Sequence, residues 1–165
     1  MFDLVVLESA ERLLEVCKRK GLTVATAESC TGGLVAGAIS AISGSSAVLD
    51  RGYVTYSNTA KEQMLGVSPT TLDAHGAVSR ECAEEMASGA LGHAQVALAV
   101  SITGVAGPTG GTPEKPVGLV HFAAAARGGQ RIAHEGRYGD VGRTQVRRLS
   151  VLQALAMLTE LAEKA

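Results

Sequence analysis

Apolar positions recur every three to four residues through Leu7, Ala10, Leu13, Leu14 and Cys17, with Glu8, Glu11, Arg12, Glu15 and Lys18 between them and Gly21 behind. That spacing predicts an amphipathic packing helix closed by a glycine cap. Residues 22–28 then read as a buried strand, and 31–42 return to helical spacing through Leu34, Val35, Ala38, Ile39 and Ile42. A second strand is predicted over 47–56. A short helix follows over 59–65, with Thr59 and Glu62 at capping-box spacing and Gly66 as its stop, and then a loop through Pro69, His75 and Gly76. Ser79 is a good N-cap for a helix over 79–91 that turns Ala83, Met86, Ala87 and Ala90 inward. The run from Val96 to Val100 reads as a central strand, and stretches near 117–126 and 130–138 as a hairpin about Gly128-Gly129. A last helix, 142–163, is expected to bury Val146, Leu149, Leu152, Leu155, Leu158 and Leu161. Helices alternating with strands early and a hairpin late predict an α/β fold: a three-layer α/β/α sandwich with a mixed sheet, one domain over 1–165.

Composition narrows the function. A chain of 165 residues can bury roughly 70% of its unfolded surface without metal or disulfide staples. A net charge of −1, a pI of about 6.4 and 3% aromatic residues give no pull on phosphodiester backbones and few platforms for bases, so no nucleic-acid partner is expected. Cys17, Cys30 and Cys82 are scattered and odd in number, suggesting neither a disulfide framework nor a zinc site, and a reducing cytosol fits them. The N-terminus lacks the pattern of a signal peptide, and no apolar run reaches membrane-spanning length. The expectation is a cytoplasmic protein with no membrane partner. The 20 glycines cluster at element ends and in one loop, as tight turns and a ligand cradle require.

Three segments would meet at the carboxyl rim of such a sheet, where open α/β folds bind their ligands: Ser29-Cys30-Thr31, Tyr56 through Lys61, and Ser101 through Thr112. Ser29 stands at a strand-to-helix turn followed by Gly32 and Gly33, where a nucleophile can meet the free N–H groups of a helix start. No Ser/His/Asp set is evident, because His75, His93, His121 and His134 fall in a loop, at a helix end and in the hairpin. Lys61 is the remaining base. Its reference pKa of ~10.4 must fall about three units, roughly 4 kcal/mol, and a helix start supplies only about 0.3–1 kcal/mol, so burial must do most of the work. Tyr56 is placed to relay a proton or orient the lysine. Taken singly, Ser29 reads as an N-cap, Lys61 as a solvated charge and Tyr56 as packing; together they fit acyl transfer. Cys30 is a rival nucleophile, but neighbouring strand positions face opposite ways, and Cys30 is expected to pack inward. The glycine-rich loop matches neither a P-loop nor a dinucleotide fingerprint, and serves either as a backbone nest for an anion or as a structural loop. Arg143 and Arg147 share a helix face, suited to phosphate or simply solvated. The histidines show no metal-ligand spacing, so neither metal nor cofactor is expected.

Several long motifs, in register from about residue 20 to 158, resemble the CinA C-terminal domain family, the nicotinamide-nucleotide amidohydrolases. They are Glu28-Ser29-Cys30-Thr31-Gly32-Gly33; Tyr56-Ser57-Asn58 with Lys61 and Leu65-Gly66-Val67; Gly76-Ala77-Val78-Ser79; and the run from Thr103 to Gly118. The resemblance implies hydrolysis of the carboxamide of nicotinamide mononucleotide to nicotinate mononucleotide and ammonia, in pyridine-nucleotide recycling. It makes Ser29, Tyr56 and Lys61 the catalytic residues, without a metal. The substrate would be held by Glu28, Thr31, Gly32, Gly33, Ser101, Thr103, Gly104, Gly107, Pro108, Gly110, Gly111, Arg143 and Arg147. Where the family has Gly-Asp-Arg leading to a second arginine, this chain reads Gly139-Asp140-Val141-Gly142-Arg143-Thr144-Gln145-Val146-Arg147, which leaves open which arginine meets phosphate. Many relatives carry a preceding N-terminal domain whose activities do not transfer to these residues. A non-catalytic binding or interaction module of the same fold is the alternative. Small residues on the helices and a long apolar last helix lead us to expect a homo-oligomer.

Overall fold

In the computed structural model, which describes residues 1–165, β1 (Val24–Glu28) is buried at every position. Only a strand covered on both faces can be so. It pairs in parallel with β2 (Leu49–Val54) on one side and β3 (Leu98–Gly104) on the other. Beyond β3 the sheet turns antiparallel through β4 (Leu119–Ala126) and β5 (Arg131–Arg137), giving the order β2-β1-β3-β4-β5.

The alternation of side chains along these strands divides the interior into two cores. Val24, Val100, Ile102, Phe122 and Ala124 pack with α1 (Leu4–Lys20), α2 (Leu34–Ser40) and α6 (Arg143–Lys164). Their neighbours Ala25, Ala27, Ala99, Ala123 and Ala125 face α5 (Arg80–Ala94) and the end of α3 (Asn58–Leu65). The mixed-sheet α/β/α sandwich expected from the sequence is therefore the observed fold. No helix is long and apolar enough to cross a membrane.

Local differences from the expected elements have simple causes. The segment through Pro69 and His75 is not a loop but helix α4 (Pro69–His75), capped by Ser68 with the proline in its first turn, where a missing N–H costs nothing. Helix α3 is capped by Ser57, whose hydroxyl accepts from Ala60 N, rather than by Thr59. Strand β3 starts later and runs on to Gly104, so Ser101–Gly104 belongs to the sheet and not to the loop. In α6, Leu149 and Leu152 are only half-buried while Ala154 and Ala162 are fully covered, because a three-residue repeat drifts around a 3.6-residue helix.

Candidate active site

The carboxyl ends of β1, β2 and β3 open onto a cavity of about 300 Å³ whose wall includes Ser29, Lys61, Tyr56, Thr103, Gly107 and Arg143. Ser29 follows the last residue of β1, and its N–H still donates to Ile102 O of β3 at 2.9 Å. The chain then reverses tightly, with Gly32 N donating to Ser29 O at 3.0 Å and Gly32 and Gly33 both at positive φ, a conformation natural to glycine.

Glu28 explains why the turn is rigid. Its carboxylate, fully buried, accepts from the Thr31 hydroxyl at 2.7 Å, Val35 N at 2.9 Å, Ala36 N at 3.0 Å and the Thr26 hydroxyl at 3.1 Å. The first free N–H groups of α2 are thus consumed by a side chain of the protein itself. Neither Glu28 nor the Thr31 hydroxyl reaches the cavity, contrary to the substrate contacts expected of them. The N–H groups of Cys30 and Thr31 have no main-chain acceptor.

Lys61 lies one turn into α3, on the inner face with Leu65, and is 1% exposed. Its Nζ lies 3.0 Å from Ser29 Oγ and donates to Thr55 O at 2.8 Å. Burial pushes the amine pKa below its usual value. No carboxylate stands beside it to restore the charge; the groups that pull it back up are the Cys82 and Cys30 thiols, themselves raised to about 11 by burial. A buried ammonium without a counter-ion is disfavoured, so burial shifts this amine toward its neutral form. Nζ is the donor to Ser29 Oγ in this contact, and the same 3.0 Å separation lets the deprotonated amine accept the hydroxyl proton, as a general base must. Cys30 packs into the core at 5% exposure, as expected, yet it also borders the cavity beside Ser29; burial raises its thiol pKa to about 11. Thr55, at the end of β2, keeps a buried hydroxyl with no partner.

Tyr56 is exposed at the cavity mouth, and its hydroxyl accepts from Arg143 Nη2 at 2.9 Å instead of meeting Ser29 or Lys61. Arg143, the first residue of α6, also donates to Gly107 O at 2.9 Å. Arg147, one turn on, points elsewhere: its Nε donates to Cys30 O at 3.1 Å and its Nη2 to Thr31 O at 3.3 Å. In the glycine-rich loop the N–H groups of Ala106, Gly107, Thr109, Gly110 and Gly111 have no protein acceptor, which makes the loop a concentrated row of donors. Gly104, Gly107 and Gly110 border the cavity; Gly111 packs against Val117, and Pro108 is exposed outside the lining.

Ser101 is a correction. It is fully buried in β3, with its hydroxyl donating to Ala83 O at 2.5 Å, and so cannot touch a ligand. Thr103 borders the cavity, but its hydroxyl is engaged with Ala77 O at 2.9 Å. Asn58, Ala77 and Val78, with Val105, Ala106 and Thr109 of the glycine-rich loop, also line the wall and were missed as individual site residues. Asn58 was within reach of sequence reasoning, one turn ahead of Lys61; Ala77 and Val78 carry no chemical signature.

The model of the CinA C-terminal domain matches residues 7–162. A nicotinamide-nucleotide amidohydrolase PncC of Escherichia coli strain K12 is 50% identical over 159 residues, which cover 96% of this chain and 95% of that protein. A CinA-like protein of Anaeromyxobacter dehalogenans is 49% identical over 94% of this chain, which spans only 36% of that longer protein. Among solved structures, the competence/damage inducible protein CihA of Agrobacterium tumefaciens superposes with a TM-score of 0.97 at 55% identity, covering 98% of both chains.

Proposed function

This chain belongs to the CinA C-terminal domain family, and from that premise we propose that it is a nicotinamide-nucleotide amidohydrolase in which Ser29 is the nucleophile and Lys61 its base. The observation that carries the reading is the 3.0 Å contact between Ser29 Oγ and a buried, counter-ion-free Lys61 Nζ. A binding module has no use for such a pair.

In the proposed reaction Lys61 takes the Ser29 hydroxyl proton as Oγ attacks the carboxamide carbon of nicotinamide mononucleotide. The oxyanion draws on the N–H groups of Cys30 and Thr31, which have no main-chain acceptor, each donor contributing about 2.7–4 kcal/mol to the transition state in comparable sites. Protonated Lys61 passes its proton to the departing nitrogen, which leaves as ammonia. Lys61 then deprotonates the water that attacks the acyl-enzyme and returns that proton to the departing Ser29 Oγ, releasing nicotinate mononucleotide and restoring the free site. The free N–H row of the glycine-rich loop and Arg143 suit the ribose phosphate. Tyr56 acts through Arg143, which it holds at the mouth, rather than as a proton relay.

Ammonia release from nicotinamide mononucleotide tests this. Wild type is expected to turn over, while Ser29→Ala and Lys61→Met lose at least ~10³-fold in kcat with the fold retained. Saturable binding without ammonia would instead indicate a module, and full activity in Ser29→Ala would move the nucleophile elsewhere, with Cys30 the next candidate.

A further inference from the structure

We infer that Arg147 is a positioning residue for the turn that carries the nucleophile, not a ligand for the substrate's phosphate. The inference rests on the amidohydrolase reading and adds a component to it.

Arg147 and Arg143 lie four residues apart on α6, yet only Arg143 borders the cavity. The half-buried Arg147 guanidinium has no carboxylate partner; it forks onto two consecutive carbonyls, Cys30 O and Thr31 O, with Gly32 packed beneath it. A trans peptide is planar, with its C=O and N–H pointing in opposite directions. Holding the Cys30 carbonyl toward α6 therefore turns the Thr31 N–H away from α6, and that N–H is one of the two left without a main-chain acceptor. Holding the Thr31 carbonyl fixes the next peptide, whose Gly32 N–H is tied at its other end to Ser29 O. One side chain thus clamps two consecutive peptides of the turn, Cys30–Thr31 and Thr31–Gly32. Because the carbonyls are adjacent, a planar fork fits where a single ammonium reaches one of them at a time.

The test compares wild type with Arg147→Gln and the milder Arg147→Lys on two amides that differ only by the phosphate, nicotinamide mononucleotide and nicotinamide riboside. For Arg147→Gln we expect kcat to fall about 10- to 100-fold, the scale of a misplaced catalytic group. The fall should be equal on both substrates, with KM for the mononucleotide within about two-fold of wild type and partial recovery in Arg147→Lys. Amide exchange at Gly32 should accelerate about ten-fold or more in Arg147→Gln. A rise in KM confined to the mononucleotide, with kcat kept, would make Arg147 a phosphate ligand and overturn the inference; unchanged kinetics and exchange would show that the turn holds itself. Should wild type release no ammonia from either amide, the amidohydrolase reading fails, and the exchange measurement still decides whether Arg147 clamps the turn.

Discussion

Lys61 is a charged side-chain type held against its preference for water. A side chain that favours water is held 1% exposed, with only Ser29 and a backbone carbonyl as partners. Because burial lowers its pKa from 10.5, the unfolded chain binds a proton that the native state does not, over the window between the folded value and 10.5. Stability attributable to this group therefore rises with pH across that window, with a limiting slope of ~1.4 kcal/mol per pH unit, and is flat below it. Urea unfolding of wild type and Lys61→Met at about pH 7 and about pH 9.5 should show wild type gaining on the variant at the higher pH. An equal pH dependence in both proteins would mean that the amine is not desolvated.

At the scale of elements, the position of that amine depends on how closely α3 sits on α5. A Cβ added to Gly89 of α5 would lie 1.9 Å from Leu65 O at the end of α3, so nothing larger than a hydrogen fits between the two backbones. Gly89→Ala must push α3 outward and Lys61 with it. The expected result is a loss of about 1–3 kcal/mol in urea unfolding together with a lowered kcat; lost stability with full activity would separate the helix contact from the site. The sequence made the strand-to-helix break at Ser29, the Ser79 cap and the final hairpin legible, because each is a local switch of period or a cap. It hid what depends on packing. Proline and glycine made α4 look like a loop, although proline in a first helical turn is at ease. The polar Ser101 seemed to end the central strand, although its hydroxyl is satisfied inside the sheet by Ala83 O. Glu28, a carboxylate beside Ser29, looked like a ligand for substrate and is instead the cap that fixes α2. Arg143 and Arg147 are indistinguishable by spacing, and only the fold sends one to the cavity and the other to the back of the turn.

For the whole molecule, the sandwich has one face filled by large side chains under α1, α2 and α6 and another lined with alanine beneath α5. The cavity lies at the rim between these layers, so residues far apart in the chain, Ser29, Lys61, Gly107 and Arg143, share one wall only when the whole sheet is assembled. The interior does more than stabilise: it withholds water from an amine and leaves it no acid partner, which lowers the amine's pKa in the direction the proposed base requires. Direct titration of the Lys61 Nζ by 15N NMR, set beside the pH profile of kcat/KM for ammonia release from nicotinamide mononucleotide, tests this most directly. The amine should titrate below 10.5, and the rising limb of the rate profile should share its midpoint. An amine that titrates at the ordinary lysine value, or a rate profile indifferent to it, would contradict the account.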